Sequence, residues 1–254
     1  MIVTSKDGTP IAYEREGRGP AVILVGGALD DGAENAPLVP ALAARFTVYN
    51  YARRGRGGSG DTPPYAVERE LEDLAALIAQ AGEPAHLYGV SSGGMFALEA
   101  AAAGLPVARL ALYEVPYDPS PDAGPRYDDY RERLAEALAG GRRDEALALF
   151  MRLAGSSDAD IEGARSSPYW DGLEALAPTL AYDAALYGPP PAARLAEFRQ
   201  PALVVTGDGN EFFGYAADAV ADLLPNAVRR TLAGQGHVAD PAVVAPVLAD
   251  FFGD

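Results

Sequence analysis

The stretch Ala85-His86-Leu87-Tyr88-Gly89-Val90-Ser91-Ser92-Gly93-Gly94-Met95 constrains this chain more than any other. Apolar residues lead into Gly-x-Ser-x-Gly, and an Ala-rich run from Met95 to Ala103 follows. In that setting the motif reads as strand, sharp turn and helix. Ser91 stands at the apex, its hydroxyl exposed above a sheet and close to a helix N-terminus. Gly89 and Gly93 fit such a turn because neighbouring backbone crowds against it. An ordinary Gly-Ser loop is the competing reading, and it leaves the flanking strand and helix signals without a purpose.

The rest of the chain repeats the strand–helix rhythm. Ala21 to Val25 is a continuous apolar run, as a strand buried on both faces of a parallel sheet requires. Thr9 to Glu16, Phe46 to Asn50, Val107 to Val115, Pro201 to Thr206 and Ala227 to Leu232 also read as strands. Helices are expected over Pro37 to Arg45, Gly214 to Leu224 and Ala242 to Phe252. Another is expected over Val67 to Ala81, where Leu71, Leu74, Leu77 and Ile78 recur at helical spacing before Gly82. This alternation predicts an α/β fold with a mostly parallel, doubly wound sheet flanked by helices. From Pro116 to Gln200 strand signals stop, and helices are expected over Tyr127 to Ala139, Arg143 to Leu153 and Leu173 to Tyr187. The expected organisation is a core of residues 1–115 and 201–254, with a helical cap of residues 116–200 over the carboxyl edge of the sheet.

Composition closes several alternatives. The 254 residues suit one large α/β domain with an inserted subdomain. A formal net charge of -16 repels phosphate backbones, so no nucleic-acid partner is expected. Without cysteine there is no disulfide, no thiolate metal site and no cysteine nucleophile. No apolar run reaches the roughly 20 residues of a membrane helix, so no membrane association is expected. The N-terminal residues lack the basic and apolar regions of a signal peptide, which predicts a cytoplasmic protein, monomeric or homodimeric. No spacing of His, Asp and Glu suggests a metal, and no cofactor is expected. Arg53-Arg54-Gly55-Arg56-Gly57-Gly58-Ser59-Gly60 lacks the ending of a phosphate-binding loop and reads as a structural loop.

A serine needs a base, and the chain has two histidines. His86 precedes Ser91 on the same strand and cannot reach over the turn. His237, in the Gly-rich loop Ala233-Gly234-Gln235-Gly236-His237, opens at the same sheet edge and is the expected base. The acid that orients it has several candidates. Glu114 closes the strand after the nucleophile helix, where a buried carboxylate is costly unless paired. Asp208, Asn210 and Glu211 follow the strand ending Thr206-Gly207, and Asn210 occupies the position where such folds usually carry the acid. The oxyanion donors are expected to be the backbone N–H groups of Ser92 and Ala28. Gly27 and Leu29, in the loop Gly26-Gly27-Ala28-Leu29, are expected to line the substrate. Asp30 and Asp31 read as solvated loop acids.

Taken together, these segments resemble the α/β-hydrolase fold over nearly the whole chain. The resemblance implies a helical cap inserted after the sixth strand. It departs from the usual pattern at Gly26-Gly27, where His-Gly is common, and at Asn210. Gly89-Val90-Ser91-Ser92-Gly93 and Glu114-Val115-Pro116 are similar to the Gly-x-Ser-Ser-Gly and Glu-Leu-Pro segments of zearalenone lactonases. That likeness implies Glu114 as the acid and the sole tryptophan, Trp170, as a substrate contact; a filler of the cap core is the other reading of Trp170. The expectation is a cofactor-independent serine hydrolase acting on an ester or lactone of an apolar small molecule. A thioesterase or carbon–carbon hydrolase of the same fold is the alternative, and a non-catalytic ligand-binding relative is the alternative of another class.

Overall fold

The structure is a computed structural model describing residues 1–82 and 84–253. Its strands are β1 (Ile2–Thr4), β2 (Pro10–Gly17), β3 (Ala21–Val25), β4 (Thr47–Tyr51), β5 (Ala85–Val90), β6 (Val107–Tyr113), β7 (Ala202–Gly207) and β8 (Ala227–Leu232). They form one sheet in the order β1-β2-β4-β3-β5-β6-β7-β8. β1 and β2 are antiparallel to their neighbours, and every pairing from β4 to β8 is parallel.

Helices α1 (Val39–Leu42), α2 (Val67–Ala81) and α3 (Ser92–Ala102) connect the first strands. Between β6 and β7 lie only helices: α4 (Ala123–Ala139), α5 (Arg143–Leu153), α6 (Asp158–Arg165), α7 (Trp170–Leu176), α8 (Leu180–Ala184) and α9 (Ala192–Leu195). The chain closes with α10 (Glu211–Leu223) and α11 (Pro241–Gly253). Among the described residues no helix is long and apolar enough to cross a membrane.

Four departures from the expected elements have local causes. The helix expected over Leu173 to Tyr187 is broken into α7, a tight turn at Ala177–Thr179 and α8, because Pro178 has no N–H to continue the ladder. The Pro37–Arg45 helix, carrying Pro37 and Pro40, shrinks to a tight turn and the four-residue α1. The strand expected through Val115 ends at Tyr113, because Glu114 turns into left-handed backbone at φ 46°. α6 was not anticipated, although a capping box announces it: the Ser157 side chain accepts the Asp160 N–H while Asp160 accepts the Ser157 N–H.

Two apolar clusters cover the two faces of the sheet. Ala21, Ile23 and Val25 of β3 point to one, and Val22 and Leu24 to the other, the period-2 alternation behind the unbroken apolar run. The first cluster passes without interruption from α2 and α3 into Tyr127, Leu134, Leu147, Trp170 and Leu180 of the inserted helices. The second contains Phe46 and Phe252, with His86 packed between them.

The His86 ring stacks on Phe252 at 4.9 Å, and its Nδ1 is buried without a partner. Burial, reinforced by Arg109, lowers its pKa from 6.5 to about 4. The unfolded chain therefore binds a proton that the folded chain refuses. Stability is lost as pH falls from about 6.5 to about 4. At about pH 5 this costs about 2 kcal/mol, or about 5 °C in Tm. His86→Phe should shrink the drop in Tm between about pH 7 and pH 5 by that amount, measured by calorimetry. An unchanged drop overturns the assignment.

Candidate active site

Parallel strands bring their carboxyl ends to one edge, so the loops after β3, β5, β6, β7 and β8 converge there. The described residues hold three non-glycine positions with positive φ: Leu29 at 61°, Ser91 at 53° and Glu114 at 46°. All three lie in this cluster of loops, the pattern of backbone strain stored at a functional site.

Ser91 occupies the turn between β5 and α3. A Cβ on Gly89 would lie 2.5 Å from the Gly94 Cα, and one on Gly93 would collide with the carbonyls of Val25 and Gly26. Only hydrogen at these positions lets the turn close. The Ser91 N–H donates to the Tyr113 carbonyl at 2.9 Å, tying the turn to β6.

One residue beyond Tyr113, the side chain of Glu114 meets His237. Glu114 Oε2 lies 2.8 Å from His237 Nδ1, and its Oε1 accepts the Gly207 N–H at 2.9 Å. The carboxylate is 1% exposed, with both oxygens engaged, as burial of such a group demands. A carboxylate at Nδ1 makes that nitrogen the donor and leaves Nε2 as the basic one. The exposed imidazole stacks on Phe213 at 4.7 Å, and its loop is held by the Tyr113 hydroxyl donating to the Gly236 carbonyl. Gly207 is required beneath the loop, since a Cβ there would collide with the Gln235 carbonyl. The Ser91 hydroxyl makes no hydrogen bond to the ring in this conformation, a looseness common before substrate tightens such contacts.

Two of the other acid candidates have backbone duties. Asp208 Oδ1 accepts the Gly234 N–H at 2.9 Å, bracing the His237 loop from outside. Asn210 caps α10 by accepting the Phe212 N–H at 3.0 Å. Glu211 sits exposed in the first turn of α10.

The loop after β3 comes close to the nucleophile, and a Cβ on Gly27 would lie 3.1 Å from the Ser91 Cβ. Ala28 and Leu29 are half-buried beside it, and Ser92 is fully buried at the start of α3. Trp170 is packed inside the inserted helices, with the Arg165 guanidinium over its ring.

Several residues here escaped the sequence. Asp30 is not solvated, as expected, but buried, its Oδ1 accepting the Gly32 and Glu34 N–H groups at 2.9 and 3.0 Å. Burial pushes its carboxyl up, opposed by those two N–H groups. The spacing Asp30-x-Gly32 is an Asx-turn signal that would have placed it. Glu34 is raised by burial of its carboxyl and by Asp30, with His237 opposing. It shares with Tyr88, Val90, Tyr113 and His237 the wall of a cavity of about 40 Å³, room for a few waters. The apolar pattern gave no hint that Arg53, Arg54 and Arg56 are all at most 1% exposed. Among the described residues no three His, Asp or Glu side chains gather to hold a metal.

Residues 22–247 match the model of the alpha/beta hydrolase family. The chain is similar to the crystal structure of an alpha/beta hydrolase from Sphaerobacter thermophilus DSM 20745, at 48% identity and a TM-score of 0.92, covering 99% of this chain and 100% of that one. An enol-lactonase from Burkholderia xenovorans LB400 shares the fold at 23% identity and a TM-score of 0.70, over the whole of both chains. A pimeloyl-[acyl-carrier protein] methyl ester esterase of Stenotrophomonas maltophilia is 42% identical over 87 residues, 34% of this chain and 32% of that protein. The chain spans between 16% and 35% of the length of the first curated relatives it matches. With the sheet order, the Ser91 turn and the match across residues 22–247 agreeing, the chain belongs to the alpha/beta hydrolase family.

Proposed function

We propose that the chain is a cofactor-independent serine hydrolase that cleaves an ester or lactone of an apolar small molecule through an acyl-enzyme on Ser91. The observation that carries this reading is the Glu114–His237 pair, with its 2.8 Å contact, on the sheet edge that also holds the Ser91 turn. The ester bond named for the Stenotrophomonas relative is consistent with it.

His237 Nε2 takes the Ser91 hydroxyl proton as Oγ attacks the carbonyl carbon, and Glu114 stabilises the imidazolium. The N–H groups of Ser92 and Ala28 receive the tetrahedral oxyanion. On collapse the carbon–oxygen bond breaks and His237 gives its proton to the departing alcohol. For a lactone, that alcohol stays tethered to the acyl group. Water, deprotonated by the same imidazole, then releases the acid and restores Ser91.

A fluorophosphonate probe should add one phosphonyl group to the Ser91 peptide, read by mass spectrometry. Aryl esters should turn over with a burst of up to one equivalent of the phenol, and macrolactones should open to the corresponding hydroxy acid. An unlabelled Ser91, with no turnover of esters, lactones or thioesters, overturns the reading in favour of a ligand-binding protein. Turnover confined to thioesters replaces the substrate class and keeps the mechanism.

A further inference from the structure

Directly beneath the nucleophile lies a group of charges that the proposed chemistry does not use. Arg53 is paired in fork geometry with Glu70 at 2.6 and 2.8 Å, and its Nη1 donates to Asp183 Oδ1 at 2.7 Å. Arg56 Nη2 donates to Asp183 Oδ2 at 2.6 Å. The Ser92 hydroxyl donates to Asp183 Oδ1 at 2.7 Å. None of these five side chains is more than 2% exposed, and the Arg53 guanidinium also lies 4.0 Å from the centre of the Phe96 ring. Two arginines and two carboxylates balance one another. Stability alone does not call for such a cluster, because well-packed apolar residues of similar volume generally serve as well.

What the cluster holds is more telling. Arg56 Nη1 donates to the Gly27 carbonyl at 2.5 Å, and Arg53 Nη1 reaches the Gly26 carbonyl at 3.4 Å. A peptide unit is planar and trans, so its C=O and the next N–H point in opposite directions. Anchoring the Gly27 carbonyl on a buried guanidinium therefore fixes where the Ala28 N–H points. A charged donor on the carbonyl also polarises the unit and strengthens that N–H. Meanwhile the Ser92 hydroxyl fixes the residue whose own N–H follows the nucleophile. Both tethers end on one carboxylate. Asp183 belongs to α8, among the helices inserted between β6 and β7, and not to the sheet that carries Ser91.

We infer that Asp183 is a positioning residue that aims both oxyanion donors, Ala28 through Arg56 and the Gly27 carbonyl, and Ser92 through its hydroxyl. The inference rests on the serine-hydrolase reading above. Asp183 touches neither substrate nor nucleophile; it acts through the two groups that do.

Two variants test it. Asp183→Asn keeps an oxygen for Ser92 and Arg53 but turns an NH₂ toward Arg56, releasing the Gly27 carbonyl. Ser92→Ala cuts one tether, keeps the backbone N–H and leaves every charge paired, so it serves if the first variant does not fold. Deleting a whole oxyanion donor costs about 10²- to 10³-fold in kcat, so misaiming should cost less: about tenfold for Ser92→Ala and about thirtyfold for Asp183→Asn. KM should stay within about twofold, because the donors tighten only on the transition state. Affinity for an aryl boronic acid, whose adduct on Ser91 places an oxygen between the donors, should fall in parallel with kcat. The acidic limb of kcat/KM should not move, since His237 and Glu114 are untouched. With Ser91 of the wild type labelled by fluorophosphonate, unchanged kcat and boronate affinity in the folded variants overturn the inference, and so does a loss confined to KM. A wild type whose Ser91 does not label overturns the serine-hydrolase reading and this inference together.

Discussion

Replacing Glu114 by glutamine should lower kcat by about 10⁴-fold, while Asp208→Asn leaves it within about twofold. The glutamine side chain fits the same space and its oxygen can still accept the Gly207 N–H. Its amide nitrogen must then face His237 Nδ1, where Glu114 Oε2 now stands at 2.8 Å. Two donors cannot meet, so the ring turns its lone pair to Nδ1 and places its proton on Nε2, the wrong tautomer for a base. Asp208 has a different task, since its Oδ1 accepts a backbone N–H at 2.9 Å and asparagine retains that oxygen. Ser91→Ala sets the floor of the series, about a millionfold below wild type. Steady-state kinetics on one aryl ester, with Tm recorded for each variant, reads the whole set. A collapse on Asp208→Asn with Glu114→Gln active would move the acid to the loop after β7.

Gly93→Ala should cost the fold as well as the chemistry. The added methyl would collide with the carbonyls of Val25 and Gly26, both main-chain atoms at the end of a central strand. Neither can swing away as a flexible side chain would. Relief has to come from shifting β3 or opening the turn, at about 3 kcal/mol or more, close to 10 °C in Tm. The shift also drags the loop that carries Gly27 and Ala28, so activity should fall further than the loss of folded protein explains. Gly214→Ala is the control: a Cβ there meets nothing within 4 Å, and on helix α10 alanine should be neutral or slightly stabilising. A Gly93→Ala protein with wild-type Tm and activity would mean the turn has slack that the geometry does not reveal.

What the sequence made legible followed the strength of local physics. Ala21 to Val25 and the Ser91 turn could be read because burial on both faces and a turn that tolerates only glycine leave distinct marks. Helix α2 could be read because Gly82, at φ 89°, ends it in the left-handed conformation. β1 left too little signal, three residues of which none is fully buried. Glu114 was legible as a strand-end carboxylate, but its left-handed backbone was not, because glycine, and more weakly asparagine or aspartate, announce that conformation and glutamate does not. Phe213 beside His237 and Glu34 beside the cavity depend on contacts between distant loops, which no local pattern encodes. The buried arginines were the least legible of all. Charge in a Gly-rich stretch usually means solvent, and the partners that pull Arg53 and Arg56 inward lie at Glu70 and Asp183, far along the chain.

That last arrangement bears on how freely this molecule can be recombined. Inserted helices between two strands look like an exchangeable module, a piece to be traded among relatives to alter what is accepted. Here the module carries one member of a charge-balanced quartet into the scaffold. A chimera that brings in a foreign segment without an acid at the Asp183 position would leave Arg53 with Glu70 alone and strand Arg56 as an unpaired buried cation, a penalty of about 3–5 kcal/mol. Successful exchanges should therefore be those in which the donor supplies a carboxylate there, or in which Arg56 is replaced along with it and the Arg53–Glu70 pair is kept.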